Sequence, residues 1–161
     1  MTLWLRARRA SALICLLVAG LVAGSVQAED HSLPGLQGGR LREADLARGN
    51  AIVIFWASWS PRCRDIVPRA NAIARRWGQA AQVVTVNFQE DQPTVETFLA
   101  TQKLAVPVYL DASGSFAKSK AISTLPGLLI YHDGVLAYQG KLPANPDNLL
   151  EQVLGPSRPR G

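Results

Sequence analysis

The chemistry-bearing residues of this chain are few. It has two cysteines in 161 residues, Cys15 and Cys63, and two histidines, His31 and His132. Cys63 closes the segment Ser60-Pro61-Arg62-Cys63. Residues i and i+3 at a helix start share one face, and helix-terminal N–H groups favour an anion there. Flanked by Arg62 and Arg64, Cys63 could be held as a thiolate and form mixed disulfides with a partner thiol or with glutathione. The competing reading is a buried, inert thiol, and the residue types leave both open. Ser60 has no histidine near it in sequence to act as base, so a hydrolase-type nucleophile is not expected. Its expected role is an N-cap, with the side-chain oxygen accepting the N–H of Cys63. His31 and His132 lie far apart without clustered acids or thiols, so no metal site and no cofactor are expected.

Cys15 falls in a segment with another purpose. Arg6, Arg8 and Arg9 precede an uncharged apolar run from Ala12 to Gly24, and Val26-Gln27-Ala28 offers small residues before Glu29. This is the layout of a secretory signal over residues 1–28. The apolar run falls short of the roughly 20 residues that span a bilayer, so cleavage and export, to the periplasm or beyond, are expected. An uncleaved leader acting as a membrane anchor is the alternative. Removing the leader leaves 133 residues with 14 basic and 12 acidic side chains. The basic character is therefore mostly a targeting device, and no nucleic-acid partner is expected. Cys15 leaves with the leader, so the exported chain carries one thiol and cannot form an internal disulfide.

The composition, 48% hydrophobic and 18% charged, excludes intrinsic disorder, and 13 Gly and 10 Pro exclude a collagen-like chain. The elements that must position Cys63 can be read in order. Residues 29–39 are a polar, Gly-rich lead-in, expected to be flexible, and Leu41 to Arg48 a short helix or turn. Ala51 to Ala57 is an apolar run suited to a strand buried on both faces. Pro61 suits the first position of a helix reaching Trp77-Gly78, with a kink expected at Pro68. Gln82 to Phe88 reads as a strand, Pro93 to Gln102 as a helix, Val106 to Leu110 as a strand and Ser115 to Ala121 as a short helix. Gly127 to Tyr131 and Val135 to Gln139 flank Asp133-Gly134, a hairpin signal. A last helix starts at Asn145-Pro146 and reaches Leu154. Such an order implies a three-layer α/β/α sandwich with a mixed parallel and antiparallel sheet, with the reactive loop at a strand's carboxyl end.

Phe55-Trp56-Ala57-Ser58-Trp59-Ser60-Pro61-Arg62-Cys63-Arg64 resembles the active-site segment of the thioredoxin superfamily. It is most similar to exported thiol–disulfide oxidoreductases of the TlpA/ResA type. The resemblance continues through Pro68, Val86 to Glu90, Val106-Pro107-Val108-Tyr109-Leu110-Asp111, Leu125-Pro126 and Asp133-Gly134. It implies a thioredoxin-like domain over residues 40–155, with 156–161 as a disordered tail. By resemblance Ser60 stands where the family has its nucleophilic Cys, Cys63 is the resolving thiol, and Glu90 is the active-site acid. Pro126 is expected to follow Leu125 through a cis bond and to shape a peptide groove with Trp59, Pro61 and Arg62. A milder departure is Gly127-Leu128, where the family usually has Thr-Thr. The partners implied are protein or peptide thiols and disulfides. The function expected is redox work in the periplasm without dithiol cycling, at most through the single thiol. The alternative is a non-catalytic peptide- or protein-binding module.

Overall fold

The structure is a computed structural model that describes residues 31–156. The expected leader and residues 157–161 of the expected tail lie outside the described residues. Ser32–Pro34 (β1) pairs antiparallel with Arg40–Arg42 (β2), and Glu43–Leu46 (α1) follows. Ala51–Trp56 (β3) is wholly buried, as its β-branched and aromatic composition requires of a central strand. After a 3-10 turn at Pro61–Cys63 come Ile66–Trp77 (α2), Gln82–Phe88 (β4), Gln92–Leu99 (α3), Val108–Asp111 (β5) and Ser115–Ser119 (α4). Gly127–His132 (β6), Val135–Lys141 (β7) and Asp147–Leu154 (α5) complete the order.

Five strands form one sheet in the order β5-β4-β3-β6-β7. β3 pairs parallel with β4 and β4 with β5, while β6 is antiparallel to both β3 and β7. The β6–β7 turn places Asp133 and Gly134 at φ of 49° and 81°, the double positive φ that such two-residue turns demand. Successive residues of β3 face opposite sides. Ile52, Ile54 and Trp56 join Ile66, Ala70, Ile73 and Trp77 of α2, Val95 of α3 and Leu150 of α5 in one core. Val53 and Phe55 join Leu33, Leu41, Leu46 and Phe116 in the other. The sheet is thus covered on both faces, which is the three-layer sandwich expected. No helix among the described residues is long and apolar enough to cross a membrane.

Two local expectations need correction. The helix after Ser60 is not continuous: three residues form a 3-10 turn and α2 begins only at Ile66. Pro68 therefore sits in the first turn of α2, where its missing N–H would have had no intrahelical acceptor. The break falls before the proline, at Arg64-Asp65. The lead-in, expected to be flexible, contains β1. Beyond it, Gly35 bridges Tyr109, and the Leu36 N–H donates to the Val108 carbonyl at 2.8 Å. The lead-in therefore covers the outer edge of β5, which would otherwise present unpaired backbone groups.

Candidate functional site

The loop leaving β3 at its carboxyl end carries the candidate residues. The Ser60 N–H donates to the Ala57 carbonyl at 3.2 Å, and the Cys63 N–H donates to the Ser60 carbonyl at 2.9 Å. Ser60 does occupy the capping position, but its side chain makes no capping hydrogen bond. The expected side-chain cap is replaced by a backbone one, because a 3-10 turn closes i to i+3 through the main-chain carbonyl. Ser60 is itself buried. Cys63 is a free thiol with no exposed surface, packed in the core that holds Trp56, Ile66 and Val67. Arg62 and Arg64 flank it in sequence but are exposed, so they lie on the solvent side of the turn while the sulfur is in the interior.

Glu90 is also buried. Its carboxylate accepts the Ser58 N–H at 2.8 Å, the Ser58 hydroxyl, and Asn87 Nδ2 at 2.6 Å. It thereby ties the loop before Trp59 to the end of β4. Ser58 and Asn87 were not among the expected site residues. An Asn near the end of a mostly apolar strand was the available signal, since a buried amide needs partners.

Next to this clamp, a cleft of about 410 Å³ is lined by Trp59, Ser60, Pro61 and Arg62 on one side and by Phe88 and Ile122 through Leu125 on the other. Trp59 is 59% exposed and lines this cleft. Five expected residues thus come together: Trp59, Ser60, Pro61, Arg62 and Leu125. Cys63, Glu90 and Pro126 do not line the cleft. The Leu125–Pro126 bond is cis; Pro126 is buried, and its carbonyl accepts the Leu142 N–H at 2.9 Å. Phe88, Ile122, Ser123 and Thr124 are lining residues that sequence patterns did not single out. Gly127 has a packing reason. A Cβ there would lie 2.7 Å from Ile122 Cγ2 and 3.1 Å from the Thr124 carbonyl oxygen. Its absence lets Ile122 lie close over the start of β6.

A sandwich of this topology, with a turn of spacing i to i+3 at the carboxyl end of its central strand beside a cis-proline, defines the thioredoxin-like class. Within that class, residues 25–139 match the AhpC/TSA family, and the chain belongs to it. It is 27% identical over 113 residues to the thioredoxin-like protein YneN of Bacillus subtilis, covering 68% of this chain and 66% of that protein. It is 30% identical over 107 residues to the sporulation thiol-disulfide oxidoreductase A of the same organism, covering 63% of this chain and 58% of that one. The chain thus spans under two thirds of the length of these relatives. Among solved structures, the exposed lipoprotein thioredoxin Etrx1 of Streptococcus pneumoniae superposes with a TM-score of 0.67 at 22% identity. That match covers 77% of this chain and 97% of Etrx1.

Proposed function

We propose that this chain is an exported thioredoxin-like protein that engages protein or peptide thiols and disulfides at the Trp59–Leu125 cleft without a dithiol cycle of its own. One observation carries the proposal: an oxygen at Ser60 beside a sulfur at Cys63 that has no exposed surface. Dithiol exchange needs one thiolate to attack and a second thiol to resolve the mixed disulfide. A hydroxyl can do neither: it has no accessible anion without a base, and its oxygen cannot form the disulfide; a single sulfhydryl has no mate in the exported chain. Cys63 is thus limited to a monothiol role. Its thiolate would attack a partner disulfide, breaking that S–S bond to form a mixed disulfide while the partner's other sulfur leaves as a thiolate. A thiol from another molecule, such as glutathione, would then have to attack the mixed disulfide, becoming disulfide-bonded to the partner's sulfur and freeing Cys63 as a thiolate. The complete burial of Cys63 supports a second reading, a non-catalytic module that binds peptide or protein partners. The leader-like residues 1–28 support export to the periplasm, with membrane attachment only if that segment is retained.

The test is reduction of insulin disulfides by dithiothreitol in the presence of residues 29–161. Wild type is expected to add nothing above the uncatalysed rate, and Ser60→Cys is expected to add turnover. Robust catalysis by wild type would overturn the proposal. The alkylation rate of native Cys63 against pH separates the two readings. Reaction of the folded protein supports the monothiol role, whereas reaction only after denaturation supports the binding module.

A further inference from the structure

We infer that the cleft continues into a second recess, and that the two together take an extended polypeptide segment with a central apolar side chain and acidic residues on either side. This inference rests on the binding role proposed above and names its partner's chemistry. The second recess, about 710 Å³, shares Phe88, Ile122 and Ser123 with the first and runs on past Gly114 to Lys118. Trp59, Pro61, Ile122 and Leu125 offer an apolar seat, and exposed aromatic surface of this kind is typical of binding anchors. Ser123 lines both recesses and Thr124 the first, and their backbone N–H and C=O groups make no hydrogen bond among the described residues. An extended chain could pair with them as a strand does.

Charge sets the chemistry of the flanks. Arg62 is the charged residue lining the first recess and Lys118 the charged residue lining the second; no carboxylate lines either. Both cations are exposed. Of the acids in neighbouring segments, Glu90 is held by Ser58 and Asn87, and Asp111 accepts the N–H groups of Phe116 and Ala117 at 3.3 and 2.8 Å. Asp65 and Asp91 are exposed but line neither recess. Two recesses that each carry an exposed cation and no carboxylate favour a negatively charged segment over a basic one.

The experiment titrates residues 29–161 into fluorescently labelled decapeptides, three of them cysteine-free, and follows anisotropy. One probe has a Phe-Leu centre with Asp/Glu flanks, one the same centre with Lys flanks, and one a Ser centre with Asp/Glu flanks. A fourth carries an intramolecular disulfide between Lys flanks. The acidic Phe-Leu peptide should bind tightest and weaken from low to high salt. R62E and K118E should each weaken it roughly two- to five-fold, the range for exposed charge pairs, and improve the Lys-flanked peptide. Trp59→Ala should weaken it about thirty-fold, as loss of an anchor does. Circular dichroism checks that these surface variants fold. Equal affinity for acidic and basic flanks, insensitivity to both charge reversals, or no binding of any cysteine-free probe would overturn the inference. Binding confined to the Lys-flanked disulfide peptide would overturn it while leaving the thiol–disulfide role intact.

Discussion

Replacing Glu90 with Gln changes one atom and asks what the buried carboxylate is for. In the native protein it accepts three hydrogen bonds, two from Ser58 and one from Asn87. The Ser58 N–H and Asn87 Nδ2 share one carboxylate oxygen, and the Ser58 hydroxyl takes the other. The amide can keep its oxygen toward the first two and turn its NH₂ to the hydroxyl, which can accept, so what it removes is the charge that strengthens these bonds. A hydrogen bond to a charged group contributes about 1.5–3 kcal/mol against about 1 kcal/mol for a neutral one. Over the two bonds to the shared oxygen the expected loss is about 2 kcal/mol. For a domain of this size that lowers the thermal midpoint by roughly 8 °C, at about 4 °C per kcal/mol. Urea and thermal unfolding followed by circular dichroism would measure it, with an unchanged urea m-value showing that the unfolded ensemble is not altered. A double-mutant cycle with Ser58→Ala should give a coupling of about 1 kcal/mol, since the two residues share bonds. A Glu90→Gln midpoint within about 2 °C of wild type would refute the view that this carboxylate clamps the Trp59 loop.

Two further outcomes test the packing and the titration behaviour. Gly127→Thr should cost about 1–3 kcal/mol by overpacking, because a Cβ would sit 2.7 Å from Ile122 Cγ2 and 3.3 Å from Phe55 Cβ. It should also shift the Ile122 methyl resonances, and unchanged stability would remove the close-approach argument. Burial, and then the Glu43 charge, push the Tyr131 hydroxyl up to about 12. The unfolded chain therefore loses this proton at lower pH than the native one, so the contribution of Tyr131 to stability should be fully present below pH 10 and be lost as pH rises from 10 to 12. In Tyr131→Phe the unfolding midpoint should lose that part of its alkaline slope.

Most of the sheet was legible because its strands are long enough to declare themselves. Ala51–Trp56 is apolar at every position, and Asp133-Gly134 supplies the chemistry its turn demands. The parallel and antiparallel halves follow from helical crossovers on one side and a tight turn on the other. The site was legible as a segment but not as a geometry. Ser60 was placed at the capping position, yet the choice between side-chain oxygen and backbone carbonyl depends on whether the first turn is α or 3-10, and residue types at 60–63 suit both. Arg62 and Arg64 suggested a thiolate at Cys63, but the sulfur's direction is fixed by Trp56 and α2, which lie outside the local pattern. β1 spans only Ser32–Pro34, too short for any alternation to register. Ser58 and Ile122 came to the site through contacts distant in sequence, as did Ser123 and Thr124.

The polar stretch ahead of Arg40 has a practical consequence for anyone handling this protein. Its look of disposability invites trimming to Arg40, where the denser sequence begins. Such a shortened version would lose Leu33 from the second core and the Leu36–Val108 bond along the rim of the sheet. Bare main-chain groups on Val108–Asp111 would then be offered to neighbouring molecules, a template for sticking and precipitation. What reads like a tether works as a seal.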